Sequence, residues 1–201
     1  MLPDNVTRKS LASMMDHTIL KVEASRNEIE RLCEETLEYG FASACMHPYW
    51  IGPMAARHSE IRLCTVIGFP LGLQTVKLFE AQKAAEAGAH ELDIVVNHVW
   101  VAEKNWGAIA EELESFRKVF AELTLKLIFE TCRLSDEQTI ELCRLAGAAS
   151  FDWIKTSTGF AAGGARADTV RLMKKHAKPG MGVKASGGIR STEDALKMIQ
   201  A

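Results

Sequence analysis

Short apolar runs alternate with longer, charged amphipathic segments along the whole 201-residue chain, and this alternation limits the available folds more sharply than any other feature. Runs rich in Val, Ile, Leu and aromatics fall at 14–20, 41–46, 61–67, 91–96, 125–130, 151–157 and 181–186, each bounded by Gly, Pro, Asn or Thr. Their length and composition predict β-strands, and their near-continuous apolar character predicts strands buried on both faces of a parallel sheet. The intervening segments at 25–39, 74–87, 135–146 and 192–200 predict helices. Ile29, Leu32, Cys33 and Leu37 recur at helical spacing, and Ser135 followed by Gln138 reads as a capping box. Gly40, Gly88 and Gly147 stand where the first three of these helices should stop.

Alternating β and α units leave two candidates, an open doubly wound sheet or a closed (β/α)8 TIM barrel. Polar residues decide between them. They sit at the C-terminal ends of many predicted strands: Asp16-His17-Thr18, Cys45 with His47, Gly68, Asp93 with Asn97, Glu130-Thr131, Lys155-Thr156-Ser157, and Lys184 with Ser186-Gly187. In a barrel all these ends converge on one pocket. An open sheet gathers its ligand groups at one crevice, usually behind a glycine fingerprint after the first strand. No such fingerprint follows Leu20. We therefore expect an α/β, TIM-barrel fold, with residues 1–201 forming a single domain.

Charge and cysteine usage narrow the setting. With 24 Lys+Arg against 26 Asp+Glu, there is no basic surplus for a dedicated nucleic-acid binder. No apolar run approaches the roughly 18 residues that suggest a membrane span. The start, Met1-Leu2-Pro3-Asp4-Asn5, is polar and unlike a secretory signal. Five scattered cysteines without a Cys-x-x-Cys pair point to reduced thiols in a cytoplasmic protein, and lack the spacing of a zinc site.

Two lysines lie inside predicted strands, Lys155 before Thr156-Ser157-Thr158-Gly159, and Lys184 before Ala185-Ser186-Gly187-Gly188. A buried lysine is costly unless paired or used. Two on consecutive strands would each disfavour the other's ammonium form, leaving a neutral amine suited to carbonyl addition. The structural alternative is that both snorkel out of the sheet or pair with Asp93 or Glu130. Asp93, in the middle of Glu91-Leu92-Asp93-Ile94-Val95, is either a proton-transfer group or a partner of Lys126 or Lys155. Lys126 and Glu130 are an even number of residues apart, so both can face the lumen as a polar layer. Gly187-Gly188 precedes a predicted helix, where backbone N–H groups can cradle a phosphate. Gly163-Gly164 reads as a flexible loop.

At these residues the chain resembles the deoxyribose-phosphate aldolases, a family of class I (β/α)8-barrel enzymes. The matching blocks, in family order, are Met15-Asp16-His17-Thr18-Ile19-Leu20, Val66-Ile67-Gly68-Phe69-Pro70-Leu71-Gly72, Glu91 to Asn97, Lys126 to Cys132, Lys155 to Phe160, and Val183 to Arg190. The resemblance implies reversible cleavage of 2-deoxy-D-ribose 5-phosphate to D-glyceraldehyde 3-phosphate and acetaldehyde. In it, Lys155 forms the Schiff base, Lys184 tunes Lys155 and joins a proton relay, and Asp93 is the general acid/base, acting through water. Asp16, Thr18 and Cys45 line the sugar pocket with Lys126 as a further substrate contact, while Gly159, Gly187 and Gly188 contact the phosphate. The protonated imine is the electron sink, so no metal or cofactor is expected. The partners expected are the small-molecule phosphosugar and acetaldehyde, with no nucleic acid, no membrane, and a homo-oligomer (dimer or tetramer).

The chain departs from the family pattern in places. His47 stands where many members have Asn, Asn97-His98-Val99-Trp100 replaces a blander stretch, and Phe160 stands where some place a lysine. His98 and Trp100 are expected to cover the barrel rim or a subunit contact. The sequence ends at Ala201, directly at the end of the last predicted helix. The eighth strand and final helix of the family are therefore expected to be missing from this chain, and we expect the full protein to be longer. Two other readings stay open: a related Schiff-base aldolase with another donor or acceptor, and an inactive barrel that only binds phosphosugars.

Overall fold

A computed structural model of the chain describes residues 6–73 and 75–201. The polar N-terminus at 1–5 and Gln74, the expected start of one helix, lie outside the described residues. The strands are β1 (Asp16–Ile19), β2 (Ser43–Met46), β3 (Leu63–Ile67), β4 (Glu91–Val95), β5 (Thr124–Ile128), β6 (Trp153–Lys155) and β7 (Gly182–Lys184). Their order in the sheet is their order in the chain. Each pair whose register is described is parallel. Parallel neighbours need a crossover of a dozen or more residues, and the helices between the strands supply it. The chain divides into two compact units, one running to Ile67 and resuming over Phe79–Leu92, the other formed by Gly68–Leu78 and Asp93–Ala201.

In the first unit, α1 (Arg8–Ala12) precedes β1, and α2 (Arg26–Tyr39) follows it. Ser25 and Glu28 form a capping box at the start of α2, and Gly40 closes its end in the left-handed region at φ 69°. A side chain at such a φ is strained, which is why glycine suits this stop. Ile29, Leu32 and Cys33 are fully buried on one face of α2. Burying a side chain the size of Ile or Leu contributes about 1.5–3 kcal/mol. The next helix, α3 (Pro48–Ala55), has no counterpart among the predicted elements. It contains Gly52 and Pro53 and is weakly amphipathic, so no helical period marks it. The fourth helix, α4 (Lys77–Glu86), begins later than expected and stops before Gly88.

The second unit carries α5 (His98–Ala102), α6 (Trp106–Val119), α7 (Asp136–Ala148), α8 (Ala167–His176) and α9 (Thr192–Ile199). Ile109, Leu113 and Phe116 repeat at intervals of four and three along α6 and are fully buried. The Ser135–Gln138 capping box forms as expected. Gly147, expected to end this helix, lies inside it instead. A Cβ there would meet the Lys178 Cβ at 3.0 Å, and Lys178 Nζ donates to the Gly147 carbonyl at 3.1 Å. Close packing rather than a left-handed turn explains the glycine.

The strand ends are shorter than the apolar runs suggested. In register, Lys126 faces Trp153, Ile128 faces Lys155, Trp153 faces Gly182 and Lys155 faces Lys184. Residues in register on parallel strands point to the same face, and so do residues two apart on one strand. Lys126, Ile128, Trp153, Lys155, Gly182 and Lys184 therefore share one face. Gly182 has a steric task there: an added Cβ would lie 2.1–2.6 Å from atoms of the Trp153 indole.

Candidate active site

On that shared face the structure brings three charged groups together. Lys155 Nζ lies 2.5 Å from Asp93 Oδ2, and Lys126 Nζ lies 3.2 Å from Asp93 Oδ1. Asp93 is fully buried, and Lys126 and Lys155 are 2% and 6% exposed. Of the two sequence alternatives for Asp93, the structure shows the partnership, and with both Lys126 and Lys155 rather than one of them. Fully ionised, these three groups carry one net positive charge, and release of one lysine proton makes them neutral. Burial favours that release, while the carboxylate opposes it. Lys184, half-buried, adds a fourth ionisable group in register with Lys155.

Beyond β6 the chain continues through hydroxyl-bearing residues. The Thr156 hydroxyl donates to the Ser186 carbonyl at 3.0 Å and accepts from the Ser186 N–H at 2.9 Å. Ser186 Oγ in turn accepts from the Ser157 N–H at 3.1 Å and donates to the Ser157 carbonyl at 2.5 Å. Side chains thereby carry the pairing of β6 and β7 past the point where the ladder ends. Gly159 at φ 83° and Gly187 at φ 83° then come together, with the Gly159 Cα 3.4 Å from where a Gly187 Cβ would lie. Gly188, at φ 78°, has open space where a side chain would be.

The pair Gly163-Gly164 lies in a loop, as expected, and both glycines have a steric reason there. A Cβ on Gly164 would fall 2.3 Å from the Gly187 carbonyl oxygen, and one on Gly163 would fall 2.6 Å from the Cys132 Cβ. The Ala165 N–H donates to that same Gly187 carbonyl at 3.0 Å. This is a backbone-to-backbone crossing that only glycines permit.

Glu130 also departs from expectation. Because β5 ends at Ile128, strand alternation does not reach Glu130, and it adopts a left-handed conformation at φ 53°, ψ 60°. It does not form a lumen layer with Lys126. Its buried carboxylate instead accepts from the Thr158 N–H at 3.2 Å and from the Thr158 hydroxyl. Sequence spacing missed this contact, although the hydroxyl-rich run after Lys155 was a signal that side chains there bond to backbone.

Asp16, Thr18 and Cys45 belong to the first unit. The Thr18 hydroxyl donates to the Asp16 carbonyl at 2.8 Å, and Thr18 and Cys45 are register partners on β1 and β2. His47 bonds the Leu20 carbonyl through Nε2 at 2.8 Å. In the second unit, Phe160 packs edge-on to Phe69, with centroids 5.1 Å apart. His98 lines a cavity of about 380 Å³ together with Pro70, Leu71, Leu73 and Arg133. Burial, with Arg133 and Lys77 nearby, pushes its pKa down to about 4.

Among the described residues no helix is long and apolar enough to cross a membrane. Residues 10–201 match the model of the DeoC/LacD family of aldolases. A deoxyribose-phosphate aldolase of Clostridium kluyveri is 44% identical over 199 residues, covering 96% of this chain and 91% of its own length. Among solved structures, the aldolase QR15 superposes with a TM-score of 0.90 at 38% identity, covering 94% of this chain and 87% of its own. The deoxyribose phosphate aldolase of Aeropyrum pernix, described as a tetramer, superposes with a TM-score of 0.88 at 36% identity, covering 96% and 84%. The α/β fold is that of these barrel aldolases, and the blocks carrying Asp93, Lys126, Lys155 and Lys184 all lie within the matched region. The chain belongs to the DeoC/LacD family of aldolases, enzymes that break and form carbon–carbon bonds.

Proposed function

We propose that this chain is a class I deoxyribose-phosphate aldolase that reversibly cleaves 2-deoxy-D-ribose 5-phosphate to D-glyceraldehyde 3-phosphate and acetaldehyde. The observation that carries the reading is the buried Lys155 amine held 2.5 Å from the Asp93 carboxylate. An amine becomes a nucleophile only when it has shed its proton, and Asp93 is placed to take it. Once that proton has passed on to water, Lys126 at the other carboxylate oxygen keeps Asp93 from being left as an unpaired buried charge beside the neutral Lys155.

The neutral Lys155 adds to the C1 aldehyde of the open-chain sugar, and loss of water leaves a protonated imine. Removal of the C3 hydroxyl proton by Asp93, through water, lets the C2–C3 bond break. Its electron pair moves toward the imine nitrogen, giving an enamine on Lys155 and releasing glyceraldehyde 3-phosphate. Protonation at C2, with Lys184 in the relay, and hydrolysis then release acetaldehyde and restore the amine. The imine itself is the electron sink in this sequence. Asp16, Thr18, Cys45 and Lys126 contact the sugar, and Gly159, Gly187 and Gly188 contact the phosphate. The single-domain reading is supported by a family match that runs through both compact units. Five cysteines, none of them in a disulfide among the described residues, support a cytoplasmic setting, since reducing compartments keep thiols reduced. A homo-oligomer, dimer or tetramer, is in keeping with the tetramer described for the Aeropyrum pernix relative.

Borohydride reduction in the presence of acetaldehyde, followed by peptide mapping, tests the mechanism. We expect one adduct, on Lys155, in the wild type and none in Lys155→Leu. An adduct on another lysine, or steady turnover of deoxyribose 5-phosphate by Lys155→Leu, refutes the assignment.

A further inference from the structure

We infer that Glu130 is a positioning residue for the phosphate end of the site, setting affinity for the phosphorylated substrate through Thr158. The inference rests on the reading of Gly159, Gly187 and Gly188 as the phosphate contacts. Glu130 occupies a backbone conformation that disfavours every side chain and suits glycine, yet it carries a carboxylate only 2% exposed. What the carboxylate does there is visible in its bonds. It accepts from both the N–H and the hydroxyl of Thr158, and the Thr158 hydroxyl oxygen accepts from the Phe160 N–H at 3.1 Å. One carboxylate thus sets the direction of the Thr158 hydroxyl, and that hydroxyl fixes the far side of the turn. Gly159, with φ 83°, lies between the two anchored positions.

The turn is held from its other sides as well. The Thr131 N–H donates to the Thr156 carbonyl at 2.9 Å, and Gly187 packs against Gly159. Among the described residues no cation contacts Glu130. The Cys132 thiol lies 3.9 Å from Oε1. The residue type matters because an ionised carboxylate only accepts hydrogen bonds, and Thr158 offers two donors. Both bonds end on the same oxygen, Oε2, so a glutamine can accept them through its carbonyl but without the charge that strengthens them.

Charge and position make opposite predictions for Glu130→Gln. Removing a negative charge beside a phosphate site should tighten phosphate binding. Weakening the bonds that hold the turn should loosen phosphate binding. The test is to measure kcat and KM for deoxyribose 5-phosphate and for unphosphorylated deoxyribose, with inorganic phosphate as competitive inhibitor. The wild type, Glu130→Gln, Thr158→Val and the double variant are compared.

Loss of the hydroxyl's bond to a charged group in Thr158→Val, and loss of the charge on the acceptor in Glu130→Gln, should each raise the KM for the phosphorylated sugar about tenfold. Inorganic phosphate should inhibit correspondingly less. Turnover of the unphosphorylated sugar should stay within about twofold, because the reacting carbons gain nothing from the turn. The double variant should be no worse than Thr158→Val, since both changes break the same chain of bonds. Equal losses on both sugars, or tighter phosphate binding in Glu130→Gln, overturn the inference. If Glu130→Gln does not fold, Thr158→Val carries the same comparison. Should the wild type neither turn over deoxyribose 5-phosphate nor form the Lys155 adduct, the functional reading falls. Direct titration with inorganic phosphate then still decides the role of Glu130, by weaker or unchanged binding in its variant.

Discussion

Replacing Gly182 with alanine should unseat Trp153. The added methyl would lie 2.1 Å from the indole Cε3 and 2.3 Å from Cζ3, far inside contact distance. Gly182 has no left-handed φ, so the cost is steric and does not come from its backbone. The ring has two responses. A local shift with imperfect repacking costs about 1–3 kcal/mol. Complete expulsion sets the upper limit. Trp153 is 39% exposed, so roughly 150 Å² of a side chain of about 250 Å² is in contact, worth ~4 kcal/mol at ~25 cal/mol per Å².

We expect Gly182→Ala to lower the unfolding free energy by about 1–4 kcal/mol, read by urea denaturation followed by circular dichroism. The same substitution in a Trp153→Ala background should cost almost nothing, because the clashing atoms are gone. The interaction energy of this cycle then isolates the ring contact. A loss below about 0.5 kcal/mol, the range of ordinary surface changes, refutes the steric account. So does an equal loss in the two backgrounds. The outcome bears on the active site, since the register that sets Trp153 over Gly182 also sets Lys155 beside Lys184.

Lys126→Met removes one of the two cations on Asp93 and strengthens the hold of that carboxylate on the Lys155 ammonium. The acidic limb of log kcat/KM against pH should move alkaline by about one unit; a stationary limb, or one moved toward acid, counts against a shared carboxylate. His98, with its pKa pushed down to about 4, stays neutral in the fold at pH values where the unfolded chain is protonated. The unfolded state therefore binds more protons between about pH 6.5 and 4, and stability falls as pH falls through that window. At pH 5 the loss amounts to about 1–2 kcal/mol for a half-buried group. Thermal melts of His98→Asn should show a correspondingly shallower decline from pH 7 to 5, and identical slopes would remove His98 as the cause.

The alternation of apolar runs and amphipathic segments by itself determined the class of fold and the approximate place of all seven strands, because burial on both faces of a parallel sheet leaves few polar positions. Local chemistry was equally legible where it acts within one turn: Ser135 with Gln138 caps α7, and Gly40 ends α2 at positive φ. The lysines inside strands marked the candidate site, because a buried amine stands out in any apolar run. Contacts between segments distant in sequence were decided by the tertiary structure alone. Nothing within the neighbourhood of Gly147 reveals the Lys178 side chain that needs its space, and nothing near Gly164 reveals the Gly187 carbonyl. The same holds for Gly182 beneath Trp153 and for Glu130 beneath Thr158. A glycine required by a turn and a glycine required by a neighbour look alike in a sequence. They differ only once the chain has folded and the neighbour has arrived.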